Sequence, residues 1–135
     1  IPVDETLTLI DTPGILDEGN FLNAVTPKMM KKMIPKKAIK PISYQVKGTQ
    51  YIWIEDICSL AIKDNDVIFY VANTLKLERF YKEKDTSHFV SHRFTLDGKQ
   101  DIVIPGLGFI KVIKPGNVTI YIPENIDVFT RKSFI

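Results

Sequence analysis

Asp11-Thr12-Pro13-Gly14 joins a carboxylate to a tight turn at the end of an uncharged run, Thr6-Leu7-Thr8-Leu9-Ile10. Such a pattern suits metal and phosphate chemistry. An Asp at a strand end can hold Mg²⁺ through water, and a Gly N–H can meet a terminal phosphate because no Cβ blocks the approach. Presenting these groups needs a buried strand at the carboxyl edge of a parallel sheet, and the aliphatic and β-branched run predicts one. The alternative is a plain strand followed by a Pro-Gly turn. Ile15 follows Gly14, where many nucleotide hydrolases place a Gln that orients the attacking water. Ile cannot hydrogen-bond water, so no residue is assigned as catalytic, and hydrolysis would need a cation or a partner. The chain has no glycine loop ending in Gly-Lys-Ser/Thr and no Asn-Lys-x-Asp.

A second constellation is basic and aromatic. Between Phe21 and Lys47 there are seven lysines and no acidic residue, although the chain as a whole carries only +2. The remainder is therefore net acidic, and the block suits either a phosphate-rich partner or a solvated helix and linker. Lys36, Lys37 and Lys40 stand beside Tyr44, Tyr51 and Trp53. Together they form a candidate stacking platform for single-stranded RNA, with cross-strand packing as the competing explanation for the aromatics. His88 and His92 are four apart but have no third ligand nearby, and Cys58 in an apolar run reads as a small buried hydrophobe.

The elements that must position these residues change character along the chain. Residues 15–19 predict a mobile loop. Thr26-Pro27 is a helix start, with Thr as N-cap, and the helix is expected over 27–34 with Met29, Met30, Met33 and Ile34 inward. Pro35 stops it, and PKKAIKP reads as a basic hinge. Strands are then expected at 42–46, 50–55, 57–62 and 67–72. Lys47-Gly48-Thr49-Gln50 closes the first, and Lys63-Asp64-Asn65-Asp66 turns the last pair into a hairpin. In the second strand, Tyr51, Trp53 and Glu55 share one face, with Ile52 and Ile54 on the other. Residues 73–96 form a polar excursion with a short helix near 83–90. Strands resume at 101–104, 108–113, 117–122 and 127–130, punctuated by Gly and Pro.

Of the residues, 44% are hydrophobic and 25% charged, an ordinary balance for a water-soluble domain. No apolar run approaches the roughly 20 residues that span a bilayer. One Cys excludes an internal disulfide and suits a reducing, cytoplasmic setting. The start, Ile1-Pro2-Val3-Asp4, enters a core strand almost at once and reads as a piece of something longer.

LIDTPGI, MIPKKAIKPISYQVKGTQ, VIFYVANTLKLER, DIVIPGLGFIKV and VFTRKSFI, in that order, resemble the YqeH family of circularly permuted ribosome-assembly GTPases. The resemblance runs from Leu9 to Ile135. It departs at Glu78, where the family often carries a His before the residue matching Arg79, and in the helix that usually follows. It implies that the missing guanine-specificity motifs and P-loop lie upstream, behind an amino-terminal zinc module. The implied fold is a mixed α/β fragment (terminal strand, switch loop and helix of a P-loop GTPase domain, residues 1–37). A mostly-β RNA- or protein-binding domain with a short helical excursion follows (residues 38–135). Asp11, Thr12, Pro13 and Gly14 match nucleotide-binding positions, with Asp11 holding Mg²⁺ through water. GTP or GDP, Mg²⁺ and a candidate K⁺ are the cofactors of the intact protein, and none is expected for this chain alone. The implied partners are the small (30S) ribosomal subunit, its rRNA or a ribosomal protein, with no membrane. The intact protein would hydrolyse GTP and the fragment would be inactive. The competing class is a stand-alone β-rich binding module with no nucleotide role.

Overall fold

Strand β2, Cys58–Val71, runs through the middle of the molecule and is shared by two wings of one sheet. Strand β1, Ile42–Ile54, pairs antiparallel along nearly all of one edge of β2. On the other edge, Ser59–Ile62 pairs with β7, Gly116–Ile122, while Val67–Val71 pairs with β6, Gly108–Val112. Two edges complete the first wing: β3, Leu77–Phe80, beside β1, and β4, Val90–Leu96, beside β7. The second wing continues through β5, Gln100–Ile104, to β8, Phe129–Lys132. The computed structural model describes residues 19–133. The expected strand over residues 6–10, the loop after Gly14 and the Asp11–Gly14 turn lie outside the described residues or at their margin.

The fork follows from a change of phase within β2. Cys58, Leu60 and Ile62 face the core, and after the bend Val67, Phe69 and Val71 do so. Asp64 sits at φ 47°, and its carboxylate accepts the Gly48 N–H at 2.7 Å, where the β1–β2 register shifts between Val46 and Thr49. This is a bulge that re-aims both strands without ending either. The turns expected at 47–50 and 63–66 are therefore bends inside two long strands. The chain reverses instead at Glu55-Asp56-Ile57, with Glu55 at φ 53° and Ile54 opposite Cys58. Asn65 holds the fork open for the second wing. Its buried amide donates to Lys114 O and accepts from Lys114 N–H, both at 2.9 Å. Gly108 allows β6 to close on β2: at φ 142°, a Cβ there would lie 2.2 Å from Tyr70 O.

The expected strands between 101 and 122 are present within one residue at each end. The last, expected at 127–130, sits later as β8. The helix expected near 83–90 is not formed. Leu77–Phe80 pairs with the β1 edge instead, and Asp85 accepts the Ser87 N–H at 2.9 Å, a local turn that competes with helix.

The expected helix is α1, Pro27–Met33. Thr26 caps it by accepting the Met29 N–H at 3.2 Å. Met33 is buried, and Met29 and Met30 are partly so. Ile34 is 40% exposed, not inward as expected, because the helix has ended and the chain turns toward Pro35. Before α1, Asn20 caps a 3₁₀ turn, Phe21–Ala24. Phe21 donates its N–H to Pro105 O at 2.8 Å, and Gly19 O accepts from Asp127 N–H at 2.9 Å. Phe21, Leu22 and Met33 join Ile52, Phe69 and Ile104 in one hydrophobic core. Full burial of a side chain such as Phe21 contributes about 1.5–3 kcal/mol.

Candidate nucleic-acid interface

The six residues grouped in the sequence as an RNA platform fall into three places. Lys36 and Lys37, with Asn73 and Thr74, line a cavity of about 290 Å³. Lys40 is held by its backbone: its N–H donates to Asn73 Oδ1 at 2.7 Å, and its carbonyl accepts from Asn73 Nδ2 at 2.8 Å. Thr74 Oγ1 also donates to Lys32 O. The basic linker is thus fastened at both ends to the β2–β3 loop and is not a free swivel.

Tyr44 lies on the core side of β1, edge-on to Phe69 at 5.7 Å, with the Arg79 guanidinium 5.2 Å from its ring. Burial pushes its phenol pKa up, and Arg79 opposes that rise. Tyr51 and Trp53 take the opposite face, because the core claims Ile52 and Ile54 between and beyond them. Cross-strand packing is therefore the explanation that fits Tyr44. Tyr51 and Trp53 belong to a different surface.

That surface is the outer face of the first wing. Tyr51 lies between Phe80 and Ala61, and Trp53 lies between Glu78 and Ser59, with Tyr121 beyond Ser59. Residues 81–89 cross over it. Phe89 packs on Trp53 at 5.8 Å, and Lys84 Nζ sits 5.3 Å from the Trp53 ring and 4.1 Å from the Phe80 ring. Trp53 is left 6% exposed, and Ser59, 1% exposed, has a hydroxyl with no partner among the described residues.

Between α1 and the β1–β3 edge opens a cleft of about 510 Å³, to which Trp53 contributes a wall. Lys28, Met29 and Lys32 line it from α1, with the two lysines four apart on one helix face. Glu55, Asp56, Lys76, Glu78 and Lys84 line it from the hairpin, β3 and the loop beyond. Glu55 fixes the mouth: its carboxylate pairs with Lys32 Nζ at 3.5 Å and accepts the Lys76 N–H at 2.6 Å. Lys76 pairs with Glu78 at 3.7 Å. Among the described residues, Lys28 and Lys84 have no carboxylate partner. Lys28 belonged to the basic block seen in the sequence but not to the six-residue platform, and Lys84 belonged to neither. The helix phase of Lys28 and Lys32 was a usable signal, but Lys84 reaches Trp53 only through the β3 pairing.

Of the other candidates, His92 is on β4 opposite Ile120, and no group of three or more His, Cys, Asp or Glu that could hold a metal occurs among the described residues. Cys58 is 1% exposed, and burial pushes its thiol up to about 12, which makes it a packing residue and not a nucleophile. No helix among the described residues is long and apolar enough to cross a membrane.

The fold and this cleft define a mostly antiparallel β domain with a helical strap and a lysine- and tryptophan-lined groove. Residues 81–134 match the family model described as YqeH-like, C-terminal. The chain is also 29% identical, over an alignment 162 positions long, to the uncharacterized protein YqeH of Bacillus subtilis (strain 168). That alignment covers 100% of this chain and 44% of the relative, so the chain spans less than half of the relative's length. The matched residues run from the Trp53-covering loop through β8. The resemblance seen in the sequence holds along the whole chain.

Proposed function

We propose that this chain is the carboxy-terminal portion of a GTPase that assists assembly of the small ribosomal subunit. Its β domain binds rRNA or ribosomal protein under the control of GTP state. The observation that carries this reading is the similarity to YqeH over the whole chain, together with the TLTLIDTPGI run that precedes the β domain. In this reading Asp11 and Gly14 sense Mg²⁺ and the γ-phosphate, and the loop after Gly14 orders when GTP is bound. That loop leads to Gly19 and Phe21, which are hydrogen-bonded to Asp127, just before β8, and Pro105, just after β5. Order gained before Gly19 therefore has a direct mechanical path into the sheet.

In the intact protein, Asp11→Asn should weaken Mg·GTP-dependent binding to the small subunit. A nucleotide response unchanged by that substitution overturns the proposal. The 135-residue chain alone should bind no GTP appreciably, since a P-loop supplies most phosphate contacts. Titration with a fluorescent GTP analogue checks this.

A further inference from the structure

We propose that the cleft between α1 and the β1–β3 edge is where the β domain holds single-stranded RNA, with backbone phosphate on Lys28 and Lys84 and a base against Trp53. This rests on the RNA-binding reading above and assigns its place, which is not the Lys36–Lys40 linker.

The cleft has a nucleotide's dimensions: about 510 Å³, within the roughly 300–1,000 Å³ usual for small-ligand sites. Its chemistry divides into spent and available charge. Lys32 and Lys76 are neutralised by Glu55 and Glu78, whereas Lys28 and Lys84 have no carboxylate among the described residues and flank the tryptophan wall. An aromatic surface beside unneutralised lysines is how sequence-tolerant single-strand binders work. Bases stack on the ring while cations follow the backbone.

Lys84 occupies the place over the Trp53 and Phe80 rings that a base would take, and it is carried on an exposed loop. Exchange of that ammonium for a base releases it toward the phosphate. Ser59 lies directly across from Trp53 on the same face but is buried and does not line the cleft, so the contacts to RNA fall to Trp53 and the lysines. Asp56 also lines the cleft and opposes an anion.

Trp53 is the only tryptophan of this 135-residue chain, so in the chain its emission reports on this site alone. The experiment titrates the full chain with a short single-stranded oligoadenylate, following both Trp53 emission and anisotropy of the labelled RNA. Binding should quench Trp53. Lys28→Ala/Lys84→Ala should weaken affinity about tenfold at low salt and reduce the salt slope by about two. Asp56→Asn should tighten binding. Lys36→Ala/Lys37→Ala/Lys40→Ala should lose less than the double variant and keep the quenching.

RNA binding that leaves Trp53 emission unchanged, or that is lost mainly in the linker triple, overturns the site while the RNA reading stands. No RNA binding at low salt, or binding to ribosomal protein only, overturns the RNA reading and the site with it.

Discussion

The two wings of the sheet carry similar residues on their outer faces and use them differently. In the second wing Tyr70 and Phe109 stack at 4.5 Å, and Arg131 lies 4.8 Å from the Phe109 ring. Arg131 is also bonded to the buried Asp101 at 3.2 Å, and Lys111 lies across the strand from Asp101. In the first wing Trp53, Phe80 and Lys84 make a comparable aromatic–cation cluster, but Lys84 has no carboxylate among the described residues. An aromatic surface with a cation is therefore not by itself a binding site. What separates the wings is whether the fold has already supplied the anion. Where it has, the cluster is structural; where it has not, a ligand's phosphate can.

The largest effect should come from removing that internal anion. Asp101→Ala leaves basic groups facing a buried position and should cost about 3 kcal/mol, read by chemical denaturation. If the loss is under about 1 kcal/mol, the second wing's cations are not held by Asp101 and the contrast fails.

Next is the joint between the wings. Gly108→Ala forces a Cβ against Tyr70 O and should cost about 2 kcal/mol. At Gly48 the same change meets open space at φ 71° and should cost only about 1 kcal/mol, through backbone conformation alone.

Cys58 tests the packing of the first wing through pH. Its thiol is raised by burial from an ordinary 9.0 to about 12. Above the unfolded value only the unfolded chain can ionise it, so its contribution is complete below about pH 8.5 and declines as pH rises toward the folded value. Relative to Cys58→Ala, the parent chain should lose about 1–2 kcal/mol by about pH 10. A parallel pH dependence in both would mean that the thiol is accessible to water.

The smallest change in stability is expected for Glu55→Gln, about 0.5 kcal/mol, because the partly exposed pair with Lys32 is weak and a neutral acceptor for Lys76 N–H remains. It should nevertheless strengthen RNA binding by releasing Lys32 into the cleft. Unchanged affinity would show that charge pairing does not set what the first wing can bind.

The amino-acid sequence by itself determined the features that depend on neighbours a few residues away. Thr26-Pro27 starts α1, Pro35 prevents its continuation, and the Gly and Pro positions after Leu96 mark β5, β6 and β7, because caps and turns are short-range chemistry. The family resemblance was legible for the same reason, in contiguous motifs. Tertiary structure alone decided the fate of Gly48 and Lys63–Asp66. These are turn-forming residues locally, but continuous pairing of β1 with β2 absorbs them as a bulge, so the two strands stay long and bend. It likewise decided that residues 77–80 pair with an open strand edge and that no helix forms at 83–90. The candidate site belongs to this second class. Lys28, Trp53 and Lys84 are far apart in sequence, and only the β1–β3 pairing and the packing of Met33 into the core bring them to one cleft.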